Sequence, residues 1–107
     1  MSHGLSANTV DRIVAVLSRH PEIEKAVLYG SRAKGNYRTG SDIDLTLFGP
    51  QLNHSLLARI DDELDDVLLP YKIDLSIFTN LTHPELIEHI QRVGVVFYER
   101  APVEVKR

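Results

Sequence analysis

The chain has 107 residues, 43% of them hydrophobic and 25% charged, which predicts one globular domain over residues 1–107. It has no cysteine, which excludes disulfides, and its net charge of −3 without a basic stripe argues against direct binding of nucleic acid. Because it also lacks a secretory signal and any apolar run near the roughly 20 residues that span a bilayer, we expect a cytoplasmic protein without membrane contact.

The first third of the chain predicts a helix, a strand and a polar loop. Asn8 is a suitable N-cap, and apolar residues follow it at helical spacing until the helix ends near Pro21. The run Ile23–Tyr29 predicts a strand that stops at Gly30. The segment Ser31–Ser41, rich in glycine, serine and basic residues, predicts a short helical turn and then a loop.

The remainder predicts three strands and two helices. Asp42–Phe48 alternates as a strand does, and Lys72–Phe78 predicts another. Between them lies a long amphipathic helix that ends at Pro70, and its apolar stripe consists of Leu56, Ile60, Leu64, Val67 and Leu68. Pro84 opens a last helix, and Val95–Tyr98 predicts a short edge strand. This order predicts an α/β or α+β fold with a small mixed sheet flanked by helices.

The Gly30–Ser31 pair, between a strand and a helical turn, is a candidate phosphate site. A helix start presents unpaired amides and a partial positive charge, and a glycine lets a ligand approach the backbone closely. The Ser31 hydroxyl is a possible donor to a phosphate oxygen. Taken alone, however, the pair is equally typical of an ordinary turn.

Three acids form a candidate metal site. Asp42 and Asp44 stand two apart on a strand, so their carboxylates share a face and repel each other unless a cation such as magnesium lies between them. Asp74 is flanked by apolar residues in another predicted strand, and it would join them if the two strands pair. The alternative is that all three are ordinary solvent-facing acids.

The spacing of these residues resembles a known family. Gly30-Ser31, ten intervening residues and Asp42-x-Asp44 resemble the signature of the DNA polymerase β-like nucleotidyltransferases. The stretches 28–35 and 40–45 resemble its minimal nucleotidyltransferase branch, and the resemblance extends over residues 9–98. Asp74 stands where this family places its third acid.

The resemblance implies a polymerase β-like fold and a role for each of these residues. Asp42, Asp44 and Asp74 would hold one or two Mg²⁺ ions, and Asp74 would also help to deprotonate the attacking hydroxyl. The triphosphate of ATP, or of another nucleoside triphosphate, would contact three consecutive residues, namely Gly30, Ser31 and Arg32. For Arg32 a plain helix-face position is the alternative.

Minimal nucleotidyltransferases commonly resemble the antitoxin halves of toxin–antitoxin pairs. The resemblance therefore implies an all-helical HEPN-type toxin as partner, with AMP transferred to one of its tyrosines, although a homodimer is also possible. Two alternatives are a non-catalytic module that neutralises a partner by occlusion and an enzyme acting on a small molecule. The acidic run at 61–66 and the five histidines are interpreted as solvated or internally satisfied residues.

Overall fold

A computed structural model describes residues 3–101, and within them the chain alternates short helices and strands. No helix in this range is both long and apolar enough to cross a membrane. A 3-10 turn, Phe78–Asn80, follows the third strand. The other elements, in chain order, are α1 Ala7–Leu17, β1 Lys25–Tyr29, α2 Gly30–Lys34, β2 Ile43–Phe48, α3 His54–Asp66, β3 Ile73–Ile77, α4 Pro84–Val93 and β4 Val95–Glu99.

The first helix begins earlier than the sequence predicted. Its N-cap is Ser6, whose hydroxyl accepts a hydrogen bond from the Thr9 amide at 3.1 Å. Asn8, the predicted cap, is exposed within the first turn, so that assignment was wrong. The earlier start places Leu5, which is buried, directly before the cap. The helix itself is confirmed, and it ends at Leu17, short of the proline.

The four strands form one mixed sheet in the order β3-β2-β1-β4. β1 is antiparallel to both of its neighbours, whereas β2 and β3 are parallel. A parallel pair needs a crossover connection, which α3 supplies. The predicted mixed sheet flanked by helices is confirmed, and β4 is an edge strand as expected.

The two faces of the sheet are covered to different extents. One face carries buried leucines from β1 and β2 and packs against residues such as Ile13 of α1 and Ile60 of α3 in the main core. On the other face Val27 and Tyr29 pack against Ile90 of α4 in a smaller cluster. Because alternate strand residues share a face, Asp44 and Asp74 lie on the α4 side.

The long helix is shorter than its predicted apolar stripe. The Asn53 side chain caps the start of α3 by accepting a hydrogen bond from the Leu56 amide at 2.9 Å. The helix ends at Asp66, and Val67 is its C-cap. Leu68 has a φ of 59° and its side chain is 84% exposed, so its place in the buried stripe was wrong. The chain has left the helix there, and the 3.6-residue period no longer governs which way a side chain points.

Candidate active site

The pairing of β2 with β3 places two of the predicted acids side by side. The strands run parallel in a register that opposes Asp44 to Asp74, and the Ile43 amide donates to the Lys72 carbonyl at 2.9 Å. Asp42 immediately precedes β2, two residues before Asp44. Neighbouring strands lie about 4.8 Å apart, so the carboxylates gather at one end of the sheet.

Asp44 is the most enclosed of the three acids. Its side chain is half-buried, whereas Asp42 and Asp74 are exposed. Burial raises the pKa of the Asp44 carboxyl above its ordinary value, and the charges of Asp74 and then Asp42 raise it further. The folded protein therefore disfavours the charged form of Asp44 unless a cation offsets these effects.

Gly30 lies directly against the Asp44 carboxylate. It follows the last residue of β1, begins α2 and has a φ of +75°, a region that side chains other than glycine rarely adopt. A Cβ atom added here would collide with Oδ2 of Asp44. The glycine thus allows the start of α2 and the acid to approach each other, and Ser31 follows it on the first turn.

Arg32 is directed into the protein rather than toward the carboxylates. Its side chain is 2% exposed, and Nε and Nη2 donate to the Ser41 carbonyl at 3.1 and 2.9 Å. Nη1 donates to the His3 carbonyl at 2.9 Å. The guanidinium also lies over the rings of Tyr37 and Tyr71, at 5.2 and 4.9 Å from their centroids.

These contacts connect Arg32 to the loop that precedes the acids. Its hydrogen bonds tie α2 to the loop end at Ser41, immediately before Asp42, and its side chain is buried. We interpret Arg32 as a residue that positions this loop, and its contact with the triphosphate stays a prediction.

The structure adds a neighbour that the sequence did not indicate. The Gly30 amide donates to Nε2 of His89 on α4 at 3.1 Å, across 59 positions of sequence. The His89 ring also meets the Tyr29 ring edge-on, with centroids 6.3 Å apart. No local spacing signals such a contact, because only the packing of α4 on β1 brings the residues together.

Two hydroxyl side chains lie two residues further along β2 and β3 than Asp44 and Asp74. The Ser76 hydroxyl donates to Oγ1 of Thr46 at 2.9 Å, on the same face as Asp44 and Asp74. Burial raises the pKa of the Tyr29 phenol; a hydrogen bond with Ser76 opposes this effect, and the charges of the two acids add to it. Tyr29 is 7% exposed and packs in the smaller core cluster.

The donor set suits magnesium completed by a substrate. Within residues 3–101 no group of three His, Cys, Asp or Glu side chains is arranged to hold a metal by itself. Magnesium, however, is usually held by one or two carboxylates together with waters and substrate phosphates. Asp44 and Asp74 are adjacent, and the raised pKa of Asp44 means that a bound cation would favour its charged form. This pair fits such a shared site.

Comparisons with solved structures support the fold. Several solved structures share it, among them three from toxin–antitoxin systems. A toxin–antitoxin with AMP-PNP has a TM-score of 0.69 and 19% identity, and the match covers 85% of this chain and 73% of that one. The MntA–HepT toxin–antitoxin gives 0.66 and 16%, covering 89% and 74%. The complex of a tri-AMPylated Shewanella oneidensis HEPN toxin with its MNT antitoxin gives 0.64 and 16%, covering 87% and 71%.

The amino-acid sequence itself matches a family model. No curated protein matches the chain. The family model described as polymerase beta, nucleotidyltransferase matches residues 11–102, a range that includes both Gly30-Ser31 and the three acids. The chain therefore belongs to the polymerase β nucleotidyltransferase family.

Proposed function

We propose that this nucleotidyltransferase uses magnesium to transfer AMP from ATP to a hydroxyl of a HEPN-type toxin, and so acts in the cytoplasm as an antitoxin. The observation that carries the proposal is the in-register pair Asp44 and Asp74 beside the Gly30–Ser31 turn. Carboxylates and a phosphate-binding turn are the two halves of a nucleotide–magnesium site. The family assignment supports the reaction class.

The solved relatives support the choice of nucleotide and acceptor. One of them contains AMP-PNP, an ATP analogue, and another contains an AMPylated HEPN toxin together with its antitoxin. Their identity to this chain is below 20%, so they support the fold directly and the substrate only by analogy. A HEPN partner, rather than a homodimer, is the acceptor that we propose.

Each residue of the site has a defined task in this reaction. Asp42 and Asp44, with Asp74, would hold the magnesium, which when bound stabilises negative charge on the phosphates. The Ser31 hydroxyl and the turn at Gly30 hold the triphosphate in place. Asp74, the exposed acid on the edge strand, accepts the proton of the attacking hydroxyl. The hydroxyl oxygen bonds to the α-phosphorus as the bond to the bridging oxygen breaks, and pyrophosphate leaves.

The double substitution Asp42→Asn with Asp44→Asn tests this proposal. Asparagine preserves size and removes both charges, so the fold survives while metal affinity is lost. We expect transfer of labelled AMP to the partner to fall by roughly three orders of magnitude or more, equivalent to about 4 kcal/mol of transition-state stabilisation. The matched control is Asp65→Asn with Asp66→Asn, the same charge change on the exposed face at the end of α3.

The same variant separates catalysis from occlusion. If the protein acts by catalysis, cells carrying the toxin lose protection even though the two proteins still associate in a pull-down. A folded double variant that protects fully would show that the protein neutralises its partner by occlusion. Parallel assays with labelled ATP, GTP, CTP and UTP identify the nucleotide, and preference for a nucleotide other than ATP would refute AMP transfer.

A further inference from the structure

The contact between α4 and the start of α2 has a consequence for nucleotide binding. The Gly30 amide donates to Nε2 of His89 at 3.1 Å, and Gly30 belongs to the turn that we propose as the phosphate site. The hydrogen bond is thus a direct link from a helix outside the signature sequence to the turn within it.

The imidazole of His89 is held in one orientation. The ring is half-buried, and the edge-on contact with Tyr29 has an interplanar angle of 79°. The next residue, Ile90, is 3% exposed and packs against Val27 and Tyr29 of β1, so it anchors this part of α4 to the sheet. Because Nε2 accepts a hydrogen bond, it carries no proton, and the ring adopts the tautomer protonated at Nδ1.

Gly30 is constrained from two sides. Its amide is directed at His89, while the side on which a Cβ would stand faces Oδ2 of Asp44. Both contacts act on one residue with a φ of +75°, which has wide conformational freedom when it is not held. The His89 bond therefore restrains the backbone at the residue that lies between the Ser31 turn and the Asp44 carboxylate.

We propose that His89 is a positioning residue for nucleotide binding: its neutral imidazole holds the Gly30–Ser31 turn at the distance from Asp44 that a magnesium–triphosphate requires. The inference rests on the proposed function. It also assigns the Gly30 amide to His89, so Gly30 contributes the shape of the turn, while Ser31 and the groups after it contact the phosphate. His89 itself touches neither the phosphate nor the metal.

Two substitutions of His89 distinguish its role as a hydrogen-bond acceptor from the effect of its side-chain volume. His89→Gln keeps a hydrogen-bond acceptor near the position of Nε2, whereas His89→Leu keeps similar volume without one. The control is His20→Leu, which removes a histidine bonded to Glu63 at 2.8 Å in a different part of the fold. All three variants lose a histidine, but only His89→Leu loses the bond to the turn.

Calorimetry with magnesium and AMP-PNP measures the effect directly. We expect the Kd to rise roughly three- to tenfold in His89→Leu, as the loss of one hydrogen bond implies, and to stay within about twofold of the wild type in His89→Gln and His20→Leu. Amide hydrogen exchange should show the Gly30 amide exposed only in His89→Leu. Nitrogen chemical shifts of the wild type should show the proton of His89 on Nδ1.

The outcomes separate this inference from the proposed function. A wild-type chain that does not bind magnesium–AMP-PNP would overturn both. Binding by the wild type with equal Kd values for His89→Leu and His89→Gln would overturn only the role of His89, as would a proton on Nε2 in the wild type.

Discussion

A pair of glycine substitutions at the two ends of α2 tests whether the geometry around Asp44 matters for transfer. Gly30 and Gly35 have φ values of +75° and +90°, so alanine strains the backbone at both, at about 1–2 kcal/mol each. They differ in their surroundings. The new methyl group collides with Oδ2 of Asp44 at position 30, whereas at position 35 it has no atom within 4 Å other than those of its chain neighbours.

We expect the collision at position 30 to lower the rate of AMP transfer more than it lowers the free energy of unfolding. A carboxylate at the end of a short side chain relieves the contact by turning away, so urea unfolding should give similar losses for Gly30→Ala and Gly35→Ala, within about 1 kcal/mol of each other. A displacement of about 1 Å at a reacting centre can lower a rate by roughly 100-fold. We therefore expect transfer of labelled AMP to fall by about that factor in Gly30→Ala only.

The comparison has a clear refuting result. Equal loss of transfer in the two variants would mean that backbone strain in α2, and not the approach of Gly30 to Asp44, governs activity. Full transfer by a folded Gly30→Ala would mean that the carboxylate position seen here is not needed for the reaction.

Two further predictions concern stability. Arg32→Met should lower the free energy of unfolding by about 2–4 kcal/mol in urea titrations, because it removes buried charged hydrogen bonds to the Ser41 and His3 carbonyls. An unchanged free energy of unfolding would refute the role of Arg32 in positioning the loop. The second prediction concerns the metal-free protein, in which the pKa of Asp44 is raised above its ordinary value of 3.8. The Asp44 carboxyl then keeps its proton in the folded state at pH values where the unfolded chain has lost it. The free energy of unfolding should therefore fall as the pH rises from 3.8 through the raised pKa. Asp44→Asn should flatten this part of the profile and add roughly 0.2–1 kcal/mol at neutral pH. A stability profile identical to that of the wild type would refute the raised pKa, of which burial is the larger cause and the charge of Asp74 the next.

The sequence could predict the parts of the site that are close together in the chain. Gly30-Ser31 and Asp42-x-Asp44 lie within one segment that runs from the end of β1 through α2 to the start of β2, and the period of two along a strand predicts that both acids share a face. Asp74 could be predicted only conditionally, since its place depends on β2 pairing with β3. The observed register supplies that condition.

The rest depends on packing that no local pattern encodes. Arg32 follows Ser31, and its guanidinium is a chemical group that binds phosphate. Its burial beneath the loop and against Tyr37 and Tyr71 is visible only in the folded structure. His89 reaches Gly30 through the placement of α4 on β1. The N-cap at Ser6 was missed because several polar residues near the helix start satisfy the same local rule, and burial of Leu5 distinguishes between them.

The energetics of the site bear on the choice between an enzyme and an occluding module. Asp44 is half-buried beside another carboxylate, an arrangement that costs stability without a cation. A surface that only occludes a partner gains nothing from repelling acids beneath it, whereas a magnesium-dependent transferase needs them. A variant that becomes more stable as it loses transfer is therefore the signature expected of an enzyme.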